Sequence, residues 1–308
     1  MKNIAISFIT INYNSSDFTI ELLKSIQKHT TIPYEVIIVD NASRDDDFQN
    51  LNNYISDQEE NIYLIQNRIN SGFAAGNMLG VNYASGEYYF FINNDTTLLN
   101  DTATILKLHL DQHKNVALVT AQVNDETGNY ASSHKLFPSL TKELLGNSIA
   151  RKINKFPSNK TKLTTPTAVE VISGSCMFFK ASVFCEIGGF DTNFFLYCEE
   201  EDISKRILLA NEQIHFVPDA KIFHHSGGST EKNLSILKEY YISYKHLIYK
   251  HFNLPTATFL LFLVLFKLFR RSFKNKQGIQ LFLFALRGFP KKESLRYKQT
   301  VKLNSSIP

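Results

Sequence analysis

Cysteine is scarce in this chain: Cys176, Cys185 and Cys198 are an odd set that lacks the spacing of metal ligands. Such usage is typical of a reduced, cytosolic setting. Residues 1–12 are apolar but carry neither an extended basic region nor a cleavage site of small residues, so they predict a buried strand and not a signal peptide. No G-x-x-x-x-G-K-[ST] loop is present and no G-x-G-x-x-G opens the chain, which disfavours an ATP or dinucleotide site.

Long apolar runs are also missing. Residues 257–266 form a stretch of ten residues without a charge, whereas a helix that spans a membrane needs about 20 apolar residues. Lys267 ends this stretch, Arg270 and Arg271 follow, and a second apolar segment lies at 279–289. These segments predict either interfacial helices with basic flanks or helices docked on a core.

Negative charge is nearly absent from the C-terminal part of the chain. Residues 245–308 contain thirteen Lys and Arg and one acidic residue, a net charge of +12, so that residues 1–244 carry −8. A basic tail suggests an anionic partner, either a membrane surface or nucleic acid. Because apolar segments accompany this charge, we expect peripheral attachment to the inner face of the cytoplasmic membrane and no nucleic-acid partner. The expected division is a domain at 1–245 and a basic helical extension at 246–308.

The chain does contain a regular alternation of apolar runs and helix-like stretches. Strands are predicted at 4–11, 34–39, 62–65 and 88–92. This order predicts an α/β fold with a mainly parallel sheet flanked by helices. Such sheets bind ligands at the carboxyl ends of their strands, where Asp40 and Asp95 fall, although either Asp could simply cap the next element.

Three further elements are predicted with less regular patterns. Ser16 or Asp17 is expected to cap the first helix. Residues 129–167 are polar and irregular, which indicates a functional excursion or a mobile lid. A helix is expected at about 202–210, followed by a strand that ends near His224.

Several segments together resemble glycosyltransferase family 2. The strongest is NSGFAAGN at 70–77, and GEYYFFINNDT at 86–96 adds to it. The others are 8–14, 36–43, 173–175, 188–191, 194–197, 199–202 and 224–229. Their order and spacing over about residues 4–230 make the resemblance specific. Within this family the chain looks most like bacterial rhamnosyltransferases that build surface polysaccharides.

The resemblance implies a GT-A-type fold and a binding site for a UDP- or dTDP-sugar donor. Asp40 matches the family residue that accepts the N3–H of the base. The other donor contacts are expected from neighbouring loops and from the glycine-rich segment at 70–80. They are Thr10, Asn12, Tyr13, Asn41, Asn70, Gly76, Asn93 and Asn94.

The resemblance also implies a divalent cation, Mn²⁺ or Mg²⁺, which offsets the charge of the leaving diphosphate. The family uses an Asp-x-Asp motif, whereas this chain has Asn-Asn-Asp at 93–95. Asp95 is therefore the expected carboxylate ligand. His224 matches a family histidine that helps to hold the metal or the diphosphate, and His225 is the alternative.

The acidic run at 199–202 matches the place of the family's catalytic base. Glu200 aligns with the base and Glu199 stands beside it, while Gly174, Ser175 and Asp202 are expected near the acceptor. The implied reaction inverts the anomeric carbon and uses a glycan or a lipid-linked acceptor. Alternatively, the four acids only stabilise the N-terminus of a helix.

Two other functions are compatible with an α/β chain of this kind. A non-catalytic module that binds nucleotide sugars or glycans is one, because Asn93 replaces an expected acid. A nucleotidyltransferase is the other, but it should have a basic, glycine-rich phosphate loop after the first strand. Residues 12–17 contain no Gly, Lys or Arg, which disfavours that function.

Overall fold

The computed structural model describes residues 4–58, 61–125, 128–158, 162–225 and 233–302. The strands are β1 (Ile6–Asn12), β2 (Tyr34–Asp40), β3 (Ile62–Gln66), β4 (Tyr88–Ile92), β5 (Thr96–Leu98), β6 (Val116–Asn124), β7 (Tyr130–Ala131), β8 (His134–Lys135), β9 (Thr167–Ala168), β10 (Val171–Ile172), β11 (Cys176–Lys180) and β12 (Gln213–His224). The helices are α1 (Ser16–His29), α2 (Asp45–Ser56), α3 (Gly72–Val81), α4 (Thr102–Gln112), α5 (Leu140–Leu145), α6 (Asn147–Ile153), α7 (Ala181–Glu186), α8 (Glu199–Leu209), α9 (Leu234–His251), α10 (Leu254–Ser272) and α11 (Lys276–Leu286). Short 3-10 helices lie at Lys291–Glu293 and Leu295–Lys298.

One mixed sheet forms the centre of the molecule, with the strand order β3-β2-β1-β4-β11-β6-β12-β5. β3, β2, β1 and β4 are parallel, β11 is antiparallel to both of its neighbours, and β6 and β12 are parallel to each other. β7 and β9 extend this sheet at β6 and β12, while β8 and β10 form a separate antiparallel pair. The predicted α/β fold with a mainly parallel sheet is confirmed.

The central strands are buried, which explains their nearly continuous apolar sequences. In register, Ile9 of β1 lies between Ile37 of β2 and Phe91 of β4, and all three side chains are inaccessible to solvent. Because β1, β2 and β4 are parallel neighbours, their carboxyl ends meet at one edge of the sheet, where Asn12 and Asp40 lie.

Two helices begin earlier than the sequence predicts. α1 begins at Ser16 with Ser15 in the N-cap position, so neither Ser16 nor Asp17 is the cap. The hydroxyl of Ser15 accepts a hydrogen bond (2.7 Å) from the side chain of Asn94 on the loop after β4. α8 begins at Glu199, which places all four acidic residues of the run in its first turn.

The segment at 129–167 is more regular than predicted, because it contains β7, β8, α5 and α6 and reaches β9. Buried Arg151 on α6 fixes β8, since its guanidinium lies 3.2 Å from Nδ1 of His134 and also donates to the carbonyl of Pro157. Two-residue strands are too short to leave a periodic pattern in a sequence. Arg151 thereby also fixes the position of Lys135, which lies on β8.

The C-terminal helices share the core of the sheet domain. The predicted boundary at residue 245 falls inside α9, which runs through it without a break. α10 and α11 pack against α9 and against each other. Leu260 of α10 and Phe284 of α11 belong to the same cluster of buried apolar side chains as Ile9 of β1. The prediction that these segments are helices docked on a core is therefore correct for their inner faces.

The outer face of α10 is apolar and exposed. Exposed phenylalanines repeat along it at helical spacing, and one more follows directly after the helix. They are Phe259, Phe262, Phe266 and Phe269 on α10 and Phe273 after it, and we call this set the aromatic face. Exposed Ile279, Leu283 and Leu286 lie on α11. Among the described residues, no helix is both long enough and apolar enough to span a membrane.

A shared core predicts that damage to the tail destabilises the whole protein. Phe284→Ala should lower the free energy of unfolding by about 3–5 kcal/mol, because this ring is fully buried and leaves a cavity. Phe262→Ala is the control: its ring is 58% exposed, and the change should stay within about 0.5 kcal/mol. Urea denaturation followed by circular dichroism measures both. A separate unfolding transition for the tail would contradict the shared core.

Candidate active site

A cavity of about 380 Å³ opens at the carboxyl edge of β1, β2 and β4, a volume typical of ligand pockets. Its walls come from the loops after these strands, from the start of α3, from α9 and from the C-terminal segment. The lining residues are Ile11, Tyr13, Ser15, Asn41, Asn70, Gly72, Phe73, Asn77, Ile92, Asn93, Asn94, Phe195, Leu196, Asn233, Ile236, Leu295 and Gln299.

Five of the predicted donor residues line this cavity: Tyr13, Asn41, Asn70, Asn93 and Asn94. Asn41 joins the loop after β2 to the start of α3. Its Nδ2 donates to Oδ1 of Asn70 (3.0 Å), and its Oδ1 accepts from the backbone N–H of Ser71 (3.1 Å). The result is an amide-rich wall with donors and acceptors suited to a base, a ribose or a phosphate.

Asp40 lies behind this wall instead of on it. Its carboxylate is completely buried, with Oδ1 accepting from Nδ2 of Asn12 (2.9 Å) and Oδ2 from the backbone N–H of Ser43 (3.1 Å). Nδ2 of Asn12 also lies 2.8 Å from a carboxylate oxygen of Asp47. In this arrangement Asp40 and Asn12 order the loop after β2, and their direct contacts with a donor stay predictions.

Glycines and a buried threonine shape the wall by packing. Gly72 has φ +84°, and a Cβ there would lie 2.1 Å from the carbonyl oxygen of Phe195, so the chain needs glycine at this point. Gly76 packs on Ile11, where a Cβ would lie 2.8 Å from Cδ1. Thr10 is buried within β1. The predicted donor contacts of Thr10 and Gly76 also stay predictions.

A carboxylate and an imidazole meet beside the cavity. Asp95, between β4 and β5, places Oδ1 3.1 Å from Nε2 of His224, the last residue of β12. The pairing of β12 with β5 brings them together, because His224 lies opposite Thr96 in the register. Nδ2 of Asn93 is 3.5 Å from the same imidazole nitrogen.

His225, the alternative ligand, points elsewhere. Its Nε2 lies 3.6 Å from a carboxylate oxygen of Glu21, and its ring packs against Phe18. Only its backbone reaches the site, since its N–H donates to the carbonyl of Asp95 (3.0 Å). The small polar segment at 226–229, which the sequence also associates with this site, lies outside the described residues.

The donor set of this pair fits a divalent cation in part. Carboxylate oxygen and neutral imidazole nitrogen both bind divalent metals. No group of three His, Cys, Asp or Glu side chains that could hold a metal occurs in the described part of the chain. Asp95 and His224 therefore offer two ligands, and a bound diphosphate would have to supply others.

The acidic run forms a second cluster at the start of α8. The two residues before this helix, Tyr197 and Cys198, both have positive φ, +71° and +72°, a strained turn that aims the first helical turn inward. Nζ of Lys135 lies 2.9 Å from Oε1 of Glu200 and 2.5 Å from Oε1 of Glu201. Sequence patterns gave no sign of Lys135, because its strand has only two residues.

The carboxyls of this cluster differ in pKa, because burial and neighbouring charges act on them differently. Burial, together with the charge of Glu200, raises the pKa of Glu199 well above its usual range and the pKa of Glu201 to about 7. Burial would raise the pKa of Glu200 as well, but its ion pair and hydrogen bond with Lys135 outweigh that effect and lower it. Glu200 is therefore the most readily ionised of the three carboxyls, Glu199 stays protonated near neutral pH, and Glu201 titrates in that range.

Gly174 and Ser175 connect the acidic cluster to the cavity. A Cβ on Gly174 would lie 3.9 Å from Oε1 of Glu200 and 3.9 Å from the ring of Phe73, which lines the cavity. The carbonyl of Ser175 accepts from the backbone N–H of Asn93 (3.2 Å). Glu200 thus lies next to the cavity wall, on the side of Gly174.

Asp202 has a different environment from its neighbours. Its side chain is completely buried, where it pairs with Arg206 (2.8 Å), Lys250 (2.8 Å) and His251 (2.7 Å). Burial opposes its charge, but these partners lower its pKa. Asp202 therefore ties α8 to α9, and its predicted contact with an acceptor stays a prediction.

The fold is of the GT-A type. The crystal structure of GalNAc-T7 with UDP, GalNAc and Mn²⁺ matches with a TM-score of 0.58, over 79% of this chain and 48% of that chain, at 14% identity. A likeness at this identity concerns the fold. The family model of glycosyl transferase family 2 matches residues 7–188, more than half of the chain, and the chain therefore belongs to glycosyltransferase family 2.

Relatives with curated names agree with the predicted resemblance to rhamnosyltransferases, which is confirmed. Rhamnosyltransferase WbbL of Escherichia coli is 27% identical over 163 residues, 50% of this chain and 61% of that protein. N-acetylglucosaminyl-diphospho-decaprenol L-rhamnosyltransferase of Mycobacterium tuberculosis is 37% identical over 62 residues, 20% of each. The chain thus matches less than two thirds of the length of either relative.

Replacement of Lys135, the positively charged residue of the acidic cluster, should make the free energy of unfolding depend on pH. In Lys135→Met the carboxyls lose their partner. The pKa of Glu200, which Lys135 lowers, should then rise above the unfolded value of about 4.3, and the raised pKa values of Glu199 and Glu201 should rise further. A folded state that binds more protons than the unfolded state loses stability as the pH rises through that window. The variant should be about 1–3 kcal/mol less stable than the wild type at pH 8, and much closer to it at pH 5.

Urea denaturation at both pH values measures this difference. Lys152→Met, at an exposed position on α6, is the matched control and should behave as the wild type does. If Lys135→Met is destabilised equally at pH 5 and pH 8, the effect of losing the ammonium group does not act through the carboxyls.

Proposed function

We propose that the protein transfers a sugar from a UDP- or dTDP-sugar to a glycan or lipid-linked acceptor, with inversion at the anomeric carbon. The supporting observation is the arrangement around one cavity in a family 2 chain. Asp95 and His224 meet on one side of the cavity, and Glu200 adjoins the wall on another, beside Gly174. The relatives' names, one of which includes a diphospho-decaprenol, support a role in surface polysaccharide synthesis.

The donor is proposed to lie along the amide-rich wall. Asn41 and Asn70, after β2 and β3, would face the nucleoside, and Asn93 and Asn94, after β4, the ribose and diphosphate. A contact between Asp40 and the N3–H of the base would require its carboxylate to exchange a hydrogen bond from Asn12 or Ser43 for one from the base. Both bonds lie at the loop that forms this end of the cavity.

A divalent cation is proposed at Asp95 and His224. When bound, it would offset the charge of the leaving diphosphate as a Lewis acid. Asn93 stands where the family's motif has its first acid, so the chain offers a single carboxylate from that motif. The amide of Asn93 can still donate a hydrogen bond to a phosphate or a hydroxyl oxygen.

Glu200 is proposed as the general base, with Glu199 beside it. The acceptor oxygen attacks the anomeric carbon, its proton passes to the carboxylate of Glu200, and the bond to the nucleoside diphosphate breaks. Lys135 keeps Glu200 ionised before the reaction because it pairs with it at 2.9 Å. The raised pKa of Glu199 keeps this neighbouring carboxyl protonated, so that it adds no negative charge beside Glu200.

The acceptor is proposed to arrive at a membrane surface. The aromatic face of α10 is apolar, and exposed Arg270, Lys274 and Lys276 flank its C-terminal end. Such a surface is suited to the interface of an anionic bilayer. Peripheral binding to the inner face of the cytoplasmic membrane would bring a lipid-linked acceptor to the enzyme.

Two single variants test the chemistry. Asp95→Asn and Glu200→Gln should each lower the rate of sugar transfer about 100-fold or more, because one removes a metal ligand and the other the base. Asp46→Asn and Glu186→Gln, at exposed positions, are matched controls and should keep full activity. Transfer from UDP- and dTDP-sugars to a polyprenyl diphosphate-linked sugar is the assay, with thermal unfolding as the check on folding.

The two roles fail independently in this test. Normal transfer by Asp95→Asn rejects the metal site, and normal transfer by Glu200→Gln rejects the base. A wild-type protein that binds a donor but neither transfers nor hydrolyses it would be a binding module.

Vesicle sedimentation tests the membrane surface. Phe262→Ser with Phe266→Ser removes two exposed rings, 58% and 51% accessible, and should weaken binding to phosphatidylglycerol vesicles at least tenfold, since each buried ring contributes about 1.5–3 kcal/mol. Leu209→Ser, at an exposed apolar position on α8, is the control. Binding should also fall with rising salt. Equal binding by the double variant and the control would reject this surface.

A further inference from the structure

A short segment at the end of the described chain, residues 294–302, runs past the cavity, and we call it the C-terminal strap. One end is fixed to α9, where the buried carboxylate of Glu239 accepts from the hydroxyl of Ser294 (3.0 Å) and the N–H of Leu295 (2.6 Å). The other end reaches the start of α2 and the loop after β3. There Lys302 donates its N–H to the carbonyl of Arg68 (2.7 Å) and pairs with Asp45 (2.5 Å).

The middle of the strap is held by a residue that lines the cavity. The guanidinium of Arg296 lies over the ring of Phe195, 5.8 Å from its centroid, and donates to the carbonyl of Thr192 (2.5 Å). Phe195 is buried and forms part of the cavity wall. The strap is thus attached to the body of the protein at both ends and in between.

The strap has an inner and an outer side. Leu295 and Gln299 line the cavity, whereas Tyr297 is 66% exposed and Lys298 is also exposed. Nε2 of Gln299 donates to the carbonyl of Leu295 (2.9 Å), which fixes the amide. The other amide atom, Oε1, is an acceptor of the kind that a base N–H or a ribose hydroxyl requires.

The anchors of the strap indicate which half of a donor it would meet. Asp45 and Arg68 follow β2 and β3, at the β3 edge of the sheet. Asp95, just before β5, and His224, at the end of β12, lie toward the other end of the sheet. A diphosphate held at Asp95 leaves the nucleoside on the side of β2 and β3, which is the side of the strap.

We propose that the C-terminal strap is the fourth wall of the donor site and that Leu295 and Gln299 contact the nucleoside of the donor. Leu295 supplies an apolar surface for the ring of the base, and Gln299 accepts a hydrogen bond from the base or the ribose. This inference rests on the proposed function. It assigns to the basic tail a part in donor selection, in addition to any contact with a membrane.

Calorimetric titration of the full chain with UDP and with dTDP, in the presence of Mn²⁺, tests the strap. Gln299→Ala and Leu295→Ala should each raise the Kd of the nucleotide about three- to tenfold, the loss expected for one hydrogen bond or one apolar contact. Tyr297→Ala and Lys298→Ala, on the outer side of the same segment, are the matched controls and should leave the Kd unchanged. Thermal unfolding confirms that each variant is folded.

Hydrogen exchange on the wild-type protein provides a second readout that needs no variant. Saturating UDP should slow exchange in the peptide that covers 294–302. Nucleotide binding with no change in the Kd of the inner variants and no protection of the strap would overturn this inference alone. A wild-type protein that binds neither UDP nor dTDP would overturn the proposed function, and the strap's role with it.

Discussion

A buried series of side-chain hydrogen bonds joins the three loops on which the cavity depends. Asn94 donates to the hydroxyl of Thr19 (2.9 Å), Thr19 donates to Oδ1 of Asn12 (2.9 Å), and Asn12 donates to Asp40 (2.9 Å). The loops after β4, β1 and β2 are thereby one polar unit, in surroundings where an unmade bond costs about 1–3 kcal/mol. The residues that line the cavity are next to these in the sequence, so the position of the wall follows from the buried series.

The acidic cluster obeys a related constraint. Three carboxyls at the start of one helix, two of them buried and the third half-buried, cannot all ionise freely, because burial and mutual repulsion both oppose charge. One cation from a different part of the chain selects which carboxyl is charged, and Lys135 touches Glu200 and Glu201 but not Glu199. The role of the segment at 129–158 is therefore electrostatic as well as steric, since it fixes the strand that delivers this lysine.

The sequence was most informative where patterns are continuous. Apolar runs predict the sheet, and the strand ends that they mark place Asp95, shortly after β4, and His224, the last residue of β12, at its carboxyl edge. The sequence does not predict the role of Lys135. Its partners, Glu200 and Glu201, are 65 and 66 positions later in the chain, and its strand is too short to show a periodic pattern. The burial of Asp40 was also hidden: its neighbour in the register is Asn12, and only the paired strands show that the two side chains bond to each other.

The charge of the tail illustrates a different limit of sequence reading. A net +12 opposite a body of −8 suggested an external anionic partner, yet part of that charge is used within the molecule. Lys250 pairs with Asp202, Lys267 with Glu143 and Lys302 with Asp45. The acidic body therefore attracts the tail that completes its core. An external partner has to explain only the basic residues that remain exposed, and among these Arg270, Lys274 and Lys276 lie at the C-terminal end of the aromatic face.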